Sequence, residues 1–542
     1  MTLRVREIAL PGRNSLSAAL VQVWNAERLA YAGLFAIALM LRLVDLAAKP
    51  MHHDESLHAW FSWKLVTGQG YEYDPTYHGP VQFYFGALAY TLFGVGEFAI
   101  RFAPAILGSA IAVLPYFLRR QLGSAGAMTA AAALCLSPAY LYYSRFARED
   151  IYAAFFSLLL VVFVFRFLEQ PTRWLPAAIT AVLAVNFATK ETTYILVFVG
   201  GTFLIAATAF QVFRARRHDL GFRSASIVAA MSSVGRDAWI WALAAFALVY
   251  TMLFTTFLFE PQGLRTGLYE SIHYWLSQQP VNRGSQPWFY YLVVVPAYEL
   301  PILLLAALGT VAVLRRPTLF RLFLVWDAVL SIAVYSWASE RMPWLTLHVL
   351  LPLVLLAGIG AQELWQLRRS RPVAAVLGAA GAAFLVFGGV NVAYAHPADP
   401  AEFLVFTQTS TEALPIRDEI LSAHRSITTD VDSWGGTGWP WAWYLRDEPV
   451  GFPDMSDAEY VPTADVVAVT DVNRGQLVGK LDGYRGRRFH LREWWVVEWE
   501  DATPRDLWRW FVRREAWSVK GTLDEWLYVR DDSRAGADTA SP

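Results

Sequence analysis

The sequence predicts a mainly α-helical, polytopic membrane protein with about eleven transmembrane helices and a C-terminal soluble α/β domain. Three observations lead to this fold class. Hydrophobic residues make up 56% of the 542-residue chain and aromatic residues 15%, more than the core of a soluble domain requires. Apolar stretches of roughly 16 to 24 residues recur between residues 29 and 394. After residue 395 these stretches end, and charged residues and tryptophans become frequent.

The composition also limits the function classes. A net charge of -1, with the basic residues dispersed in short clusters, argues against nucleic-acid binding. The single cysteine, Cys135, lies in an apolar stretch, which excludes a disulfide within the chain and cysteine-based metal or redox sites. The arginine-bearing N-terminus has no small-residue cleavage pattern before the first apolar run, so we expect that run to be an uncleaved span.

Loop charges orient the predicted spans. Basic residues precede the first span and recur in alternate loops, which the positive-inside rule places in the cytoplasm. Residues 1–28 are therefore predicted to be cytoplasmic, followed by a membrane domain over 29–394, an outward-facing α/β domain over 395–532 and a disordered tail over 533–542. The predicted spans cover residues 29–48, 98–118, 126–144, 151–168, 174–189, 193–213, 238–258, 290–314, 320–338, 345–365 and 373–394.

This orientation depends on the apolar stretch from Val81 to Val95. At roughly 15 residues it is short for a span and suits a juxtamembrane helix in the first outward loop. If it does not cross, the acidic pairs Asp54-Glu55 and Glu149-Asp150 lie on the same, outward side. Ionisable residues beside spans are costly when unpaired in lipid, so their collection on one face predicts a polar site against the bilayer. The predicted outward loops also hold His78, Lys190, Glu191, Glu340 and Arg341.

The region after residue 395 alternates short strand-like and helix-like stretches. Strands are expected over 465–469 and 494–497, and helices over 410–424 and 504–516. The Gly- and Trp-rich run from Gly435 to Tyr444 lacks the strand and helix that flank a dinucleotide-binding loop. Its indoles are candidates for contact with a sugar or with the membrane surface.

These motifs carry a family resemblance. The Asp-Glu pair after the first span, the His-Gly-Pro at 78–80 and the Ser-Arg followed by Glu149-Asp150 resemble the GT-C membrane glycosyltransferases, including protein O-mannosyltransferases and lipid A aminoarabinose transferases. Residues 188–192, 339–345 and 439–441 look like a group associated with archaeal glycolipid flipping that also occurs in bacteria. The resemblance covers most of the membrane region and is weaker over the C-terminal domain.

The resemblance implies a multi-pass protein of the cell (plasma) membrane that uses a polyprenyl-phosphate sugar. The sugar would be transferred on the outer face to a protein, glycan or lipid acceptor, with inversion at the anomeric carbon. A carboxylate would act as general base, and the family's first-loop motif gives this role to Asp54. Cations would stabilise the leaving phosphate. The other catalytic candidates are Glu55, Glu149 and Asp150, and the candidate substrate- or phosphate-binding residues are His78, Arg148, Lys190, Glu191, Glu340 and Arg341.

Each candidate also has a plainer interpretation. The first acidic pair could be a solvated loop pair, and Glu149-Asp150 could form ion pairs with Arg145 or Arg148 at a helix start. Lys190-Glu191 could be a salt bridge at a span end. His348, near the start of a predicted span, is expected to be a packed and hydrogen-bonded histidine.

Metal dependence stays open at this stage. A divalent Mg or Mn ion would be held by Asp54, Glu149 and Asp150, and a group of nearby histidines could join them. Asp-Glu stands here in place of the Asp-X-Asp of metal-dependent relatives, which favours chemistry without a metal. The histidines are His52, His53 and His58.

The predicted function is therefore glycosyl transfer from a lipid-phosphate donor. The competing hypothesis is a flippase, or a flippase-associated protein, for lipid-linked sugars. A flippase requires polar groups at several depths, whereas the predicted spans are nearly all apolar apart from Arg42. A structural scaffold would leave the acidic loops unexplained.

Overall fold

The structure is a computed structural model that describes residues 26–218, 224–278, 280–281, 284, 286–367, 369, 371–423 and 426–531. The predicted disordered tail and nearly all of the predicted cytoplasmic segment lie outside these residues. The described chain forms a helical membrane domain followed by a domain built on one mixed β-sheet. The predicted fold class is thus confirmed.

The helices of the membrane domain follow the predicted spans closely. They are α1 (Ala26–Leu43), α2 (His53–Val66), α3 (Val81–Phe93), α4 (Glu97–Ile111), α5 (Ser124–Leu136), α6 (Pro138–Tyr143), α7 (Asp150–Glu169), α8 (Leu175–Phe187), α9 (Thr192–Arg217), α10 (Ser226–Ser233), α11 (Arg236–Phe254), α12 (Ser271–Gln278), α13 (Tyr290–Arg315), α14 (Leu319–Trp337), α15 (Thr346–Gln366) and α16 (Arg371–Val390). Short helical turns extend α4 to Leu122.

Within the described residues, eight helices are long and apolar enough to cross a membrane. They are α4 with its extension, α7, α9, α11, α13, α14, α15 and α16. Three further predicted spans are helical but fall short of these criteria: α1 carries three charged residues, and α5 and α8 have 13 residues each. Helix α3, the stretch expected not to cross, also has 13 residues. Length therefore does not distinguish α3 from α5 and α8.

Helix α15 lies at the centre of the bundle. Its apolar window is 89% buried, whereas that of α9 is only 11% buried, as expected for a helix that faces lipid. Small residues let α15 approach its neighbours closely. A Cβ on Gly309 of α13 would lie 2.0 Å from the Leu356 carbonyl oxygen, and one on Gly126 of α5 would lie 2.5 Å from the Gly358 carbonyl oxygen.

Two buried charged residues stabilise the break between α5 and α6. Arg42 of α1 is fully buried and donates to the carbonyl oxygens of Leu134 and Cys135 at the end of α5. Glu299 of α13 accepts hydrogen bonds from the Ser137 hydroxyl and the Ala139 N–H at the start of α6. Both therefore satisfy backbone groups at helix ends, where intrahelical partners are missing.

The C-terminal domain is a six-stranded mixed sheet flanked by short helices. Its strands are β1 (Gln408–Thr409), β2 (Thr429–Val431), β3 (Val450–Gly451), β4 (Val466–Thr470), β5 (Tyr484–Trp495) and β6 (Lys520–Arg530), and its helices are α17 (Ala413–Ser422), α18 (Trp441–Tyr444) and α19 (Pro504–Arg513). The strand order is β1-β5-β6-β4-β2-β3. Strands β2, β3 and β4 pair in parallel, and the remaining pairs are antiparallel, with Ala468 opposite Leu527 in the centre.

The two domains share one hydrophobic core. Met51, Ala59 and Ile100 of the membrane domain belong to the same buried cluster as Trp443 and Leu491 of the C-terminal domain. Because α2 and α3 lie at this junction, the C-terminal domain packs directly on the segment that carries the first acidic pair.

Candidate active site

The run from His52 to Glu55 forms the start of helix α2. The His52 imidazole accepts a hydrogen bond from the Asp54 N–H at 3.1 Å, and the Glu55 carboxylate accepts one from the His52 N–H at 3.1 Å. This is a capping box, which satisfies N–H groups that the first helical turn leaves free. It directs the two acidic side chains differently: Glu55 is fully buried, whereas the Asp54 side chain is 27% exposed.

Glu55 lies in a buried ion pair. The Arg101 guanidinium donates to its two oxygens at 2.7 and 2.8 Å, Lys49 lies 3.5 Å away, and the Ala147 N–H donates at 2.9 Å. Burial raises the pKa of Glu55, but Arg101 and Lys49 outweigh it and bring the pKa to about 2. Glu55 was grouped with the catalytic candidates; the structure places it where it joins α2 and α4 to the loop before α7, away from solvent.

Arg148 connects the two acidic pairs. Its guanidinium forms an ion pair with Asp54 and lies 3.4 Å from Asp150. It stacks over the Trp344 ring at 3.8 Å. Lys190 donates to both Asp150 oxygens at 2.7 and 2.8 Å. The two acidic pairs therefore meet in one region of the structure.

Glu149 faces a different partner from Asp150. Its carboxylate lies 2.7 Å from Nε2 of His58, whose Nδ1 lies 2.8 Å from the Ala147 carbonyl oxygen. The His58 ring can donate to both the Glu149 carboxylate and the Ala147 carbonyl oxygen only when both of its nitrogens carry protons. Burial raises the pKa of Glu149, but His58 reverses this and the pKa lies far below its usual range. Glu149 is completely buried, whereas the Asp54 side chain is partly exposed.

The His-Gly-Pro motif is hydrogen-bonded to the segment that carries Lys190 and Glu191. Gly79 donates to the Thr189 carbonyl oxygen at 3.2 Å, and Val81 donates to that of Ala188 at 3.0 Å. Glycine is required at this approach, since a Cβ on Gly79 would lie 2.1 Å from the Ala188 oxygen.

His78 is held between Glu191 and an aromatic ring. Its Nδ1 lies 2.7 Å from the Glu191 carboxylate, and its ring stacks on Trp275 with centroids 4.9 Å apart. Burial lowers the pKa of His78, but Glu191 and Glu149 outweigh it, so the pKa is raised. The backbone of His78 has φ +64°, a conformation that costs energy for a residue with a Cβ and is common at functional sites.

His348 and the segment from Glu340 to Trp344 complete this side of the site. His348 stacks on Tyr335 and its Nε2 lies 3.7 Å from Asp150. Arg341 donates to the carbonyl oxygens of Gln286 and Ala338, both at 2.6 Å. Glu340 is half-buried. This segment contacts Arg148 through the Trp344 ring.

The predicted metal ligands do not form one binding site. Among the described residues, the group with potential ligand atoms within 4.8 Å of one another is His52, His53 and Asp54. Glu149 and Asp150 are not part of it, because they face His58 and Lys190. His52 already bonds backbone groups through both nitrogens, the Asp54 N–H and the Phe406 carbonyl oxygen. In this arrangement Glu149 and Asp150 face side chains rather than Asp54, and metal dependence stays a prediction.

Several site residues were not predicted from the sequence. Arg101 lies inside a predicted span, where an ionisable residue is itself a sign of a functional or buried pair. Trp344 lies in the motif at residues 339–345 but is not among the predicted site residues. Arg492 of β5 adds positive charge from the C-terminal domain. Burial brings the pKa of His52 and His53 well below the usual value, followed by Arg148 and Lys49 for His52 and by His52 for His53, and Arg492 makes a smaller contribution to both. No sequence pattern links this strand to the first loop.

Comparisons with known proteins agree with this geometry. Residues 77–232 match the family described as dolichyl-phosphate-mannose-protein mannosyltransferase. The structure resembles that of ArnT from Cupriavidus metallidurans, in the apo state and bound to undecaprenyl phosphate, each with a TM-score of 0.60 and 15% sequence identity. The match covers 94% of this chain and 98% or 99% of the ArnT chains.

A second solved structure is also similar. It is the Archaeoglobus fulgidus oligosaccharyltransferase in complex with Zn and sulfate, with a TM-score of 0.52, 13% identity, and coverage of 78% of this chain and 62% of that chain. The comparison with curated proteins found no matching sequence. The resemblance seen in the motifs is confirmed: this chain has the fold of the GT-C membrane glycosyltransferases.

Proposed function

We propose that the protein transfers a sugar from a polyprenyl-phosphate donor to an acceptor on the outer face of the membrane, with Asp54 as the general base. The acceptor class is a protein, glycan or lipid. The contact that carries the proposal is Arg148, which brings Asp54 and Asp150 together beside Lys190. One region then contains both a partly exposed carboxylate and buried cations, the two kinds of group that this reaction needs.

The cations suit a leaving phosphate. As the bond between the anomeric carbon and the phosphate oxygen breaks, negative charge grows on the phosphate, and fixed cations in a site of low dielectric stabilise it. Arg148 and Lys190 are 4% exposed and are held in place by Asp150. That ArnT is described as bound to undecaprenyl phosphate supports a polyprenyl-phosphate donor for a chain of this fold.

Asp54 would take the acceptor proton. In a single displacement the acceptor oxygen attacks the anomeric carbon, its proton passes to Asp54, and the polyprenyl phosphate leaves with the bonding electron pair. Attack opposite the leaving group inverts the anomeric configuration. Asp54 forms an ion pair with Arg148, and the arrival of the donor phosphate gives Arg148 a further anionic partner besides Asp54 and Asp150.

The chain's own residues supply the positive charge, so we propose a reaction without a divalent cation. Lys190 binds both oxygens of Asp150, so this carboxylate is already paired with a cation, and the Glu149 carboxylate lies 2.7 Å from Nε2 of His58. His78, with its raised pKa and its contact to Glu191, is proposed to contact the phosphate or the sugar.

The flippase hypothesis finds less support. Three ionisable residues within the helices bind neighbouring groups: Arg42 and Glu299 bind groups at helix ends, and Asp327 accepts a hydrogen bond from Ser331 at 2.9 Å. The space beside Asp327 and His348 is a cavity of about 30 Å³, room for about one water molecule rather than a sugar headgroup.

The test is sugar transfer by the purified protein from polyprenyl-phosphate sugars to a panel of acceptors. We expect Asp54→Asn to lower the rate of transfer roughly 100-fold or more, because the acceptor proton has no base. Asp418→Asn, at an exposed position on α17, is the matched control. Wild-type rates in Asp54→Asn would exclude the base. Headgroup translocation in liposomes by a transfer-inactive protein would favour the flippase.

A further inference from the structure

A second cavity lies between helix α2 and the Gly- and Trp-rich run of the C-terminal domain. Its volume is about 550 Å³, within the range of small-molecule sites. Trp60 of α2 forms one wall, and the opposite wall comes from the segment 433–452. None of the reaction steps above uses this space.

The aromatic rings of this cavity are arranged as a binding surface. The Trp60 ring lies 4.9 Å from that of Trp63 and 6.3 Å from that of Trp439, at interplanar angles of 41° and 73°. Trp60 and Trp439 are both half-buried, so part of each indole remains accessible. Phe452 adds a further ring to the lining.

Polar groups accompany the rings. Ser433, Arg446 and Glu448 line the same space. Arg446 is held in place, because it stacks on Trp443 at 4.1 Å and donates to the Trp443 carbonyl oxygen at 2.9 Å. A concave site with aromatic walls and a few positioned polar groups is the usual composition of a ligand pocket.

The backbone of the run is fixed by glycines and by Arg492. Gly436 has φ +78°, which a side chain would disfavour, and a Cβ on Gly438 would lie 3.3 Å from the Phe452 ring. The buried Arg492 donates to the carbonyl oxygens of Gly436 and Trp439, both at 2.7 Å. The cavity wall is therefore formed before any ligand binds.

The same contacts bring the cavity close to the proposed base. Arg492 holds the wall and also acts electrostatically on His52 and His53, the residues that precede Asp54. Asp54 and Trp60 belong to one helix, six residues apart, which corresponds to about 9 Å along its axis and about 120° around it. The cavity and the proposed base are therefore neighbouring sites on α2 that face different sides of this helix.

We infer that this cavity binds a carbohydrate portion of the acceptor, with a pyranose ring against the indoles of Trp60 and Trp439. A pyranose presents C–H groups on its face and hydroxyl groups at its edge. The C–H groups match the electron-rich indole face, and the hydroxyls match Ser433, Arg446 and Glu448. The inference rests on the proposed function and narrows it, since it makes the acceptor a glycan or a glycolipid.

A membrane surface is the alternative partner for these indoles. Interfacial tryptophans lie on an exposed belt, as Trp337 does with 75% of its surface accessible. Trp60 and Trp439 instead line a concave space together with charged side chains. The geometry therefore favours a small polar ligand with an apolar face over a lipid surface.

The experiment measures binding of oligosaccharides to the full-length protein in nanodiscs by ligand-observed NMR, without a donor. The panel contains di- to tetrasaccharides of glucose, galactose, mannose and N-acetylhexosamines. We expect binding that weakens about tenfold in Trp60→Leu and in Trp439→Leu. Trp508→Phe, at an exposed position on α19, is the control and keeps wild-type affinity.

Three results would overturn the inference. The first is that no oligosaccharide of the panel binds at millimolar concentration. The second is that oligosaccharide affinity stays unchanged in both leucine variants. The third is that these variants instead lose affinity for protein-free anionic vesicles or for peptides. Failure of the proposed transfer reaction would be visible separately, as wild-type protein that binds the oligosaccharide but does not glycosylate it. Size-exclusion profiles and thermal unfolding measured without donor identify variants that fail to fold. If Trp60→Leu fails to fold, Trp60→Phe replaces it.

Discussion

Asp54 and Glu55 are neighbours in the sequence with opposite environments. Both are carboxylates in the first turn of α2, yet Glu55 is fully buried against Arg101 and Asp54 is partly exposed beside Arg148. Successive helical residues point about 100° apart, so one faces the core and the other the site. The difference places Glu55 in the protein interior and leaves Asp54 accessible, as the proposed role of a general base requires.

Glu55→Gln should destabilise the fold by about 3–5 kcal/mol, because it leaves Arg101 buried beside an uncharged partner. The lower midpoint of thermal unfolding measures this loss. Asp54→Asn, at the more exposed neighbouring position, is the matched control and should change the midpoint little. Equal losses in the two variants would contradict the assignment.

The same ion pair predicts a dependence of stability on pH. The pKa of Glu55 is about 2 in the folded protein against an ordinary value of 4.5. Its contribution, about 3 kcal/mol, is therefore complete above about pH 4.5 and is lost as the pH falls towards 2. Unfolding midpoints between pH 5 and pH 3 should fall more steeply for the wild type than for Glu55→Gln. Parallel curves would count against this linkage.

Chelation should leave transfer activity unchanged. The carboxylate oxygens of Asp150 are bound by Lys190 rather than by a metal ion. Removing divalent ions with EDTA should therefore remove nothing that the proposed reaction needs. The rate of transfer is measured before and after dialysis against EDTA, and again with added Mg²⁺ or Mn²⁺. Loss of activity that either metal restores would show that the site rearranges to bind an ion.

At the scale of elements, two short motifs depend on each other. Backbone N–H groups of the His-Gly-Pro motif and the start of α3 donate to carbonyl oxygens of the segment before α9, and the side chains of His78 and Glu191 meet there. The loop contact therefore sets the position of Lys190 relative to Asp150. A displacement here moves a cation away from the site.

Gly79→Ala should disturb this contact. Its Cβ would lie 2.1 Å from the Ala188 carbonyl oxygen, so the two loops must separate. We expect a loss of transfer of roughly 100-fold, since displacements of about 1 Å have effects of this size. Gly475→Ala is the control, because nothing lies within 4 Å of a Cβ at that position. Normal transfer by a folded Gly79→Ala protein would show that the loop contact does not position Lys190.

Elements were easier to predict from the sequence than contacts. Hydropathy identifies helices such as α7 and α13, because a membrane span must be apolar along its whole length. The strand expected over 465–469 is present as β4. The position of α17 agrees with the predicted 410–424 to within a few residues. The pairing of Glu55 with Arg101 or of Glu149 with His58 depends on packing between distant segments, which no local pattern encodes.

At the scale of the whole molecule, the C-terminal domain is part of the site rather than an appendage. The Phe406 carbonyl oxygen binds His52, the Tyr444 hydroxyl accepts from the Met51 N–H, and Gln408 donates to the Pro50 carbonyl oxygen. These bonds converge on the loop that begins α2. The start of α2, which carries Asp54, is therefore positioned by both domains.

A second connection between the domains lies on the far side of the junction. Arg514, which follows α19, donates to Glu402 at 2.8 Å, and Glu402 also binds the Tyr298 hydroxyl of α13. Both charged residues are buried, Arg514 at 5% exposure and Glu402 at 0%. This ion pair ties the C-terminal domain to a helix of the membrane bundle.

Arg514→Met should loosen the two domains together. It leaves Glu402 buried without its cation, at a cost of about 3–5 kcal/mol. We expect a lower unfolding midpoint, faster proteolysis at the domain junction and weaker transfer, because the bonds to the α2 loop then come from a less ordered domain. Arg513→Met, whose side chain is 69% exposed beside Glu515, is the adjacent control and should behave as wild type. Unchanged transfer in an Arg514→Met protein that is cleaved faster at the junction would mean that the membrane domain holds Asp54 in place by itself.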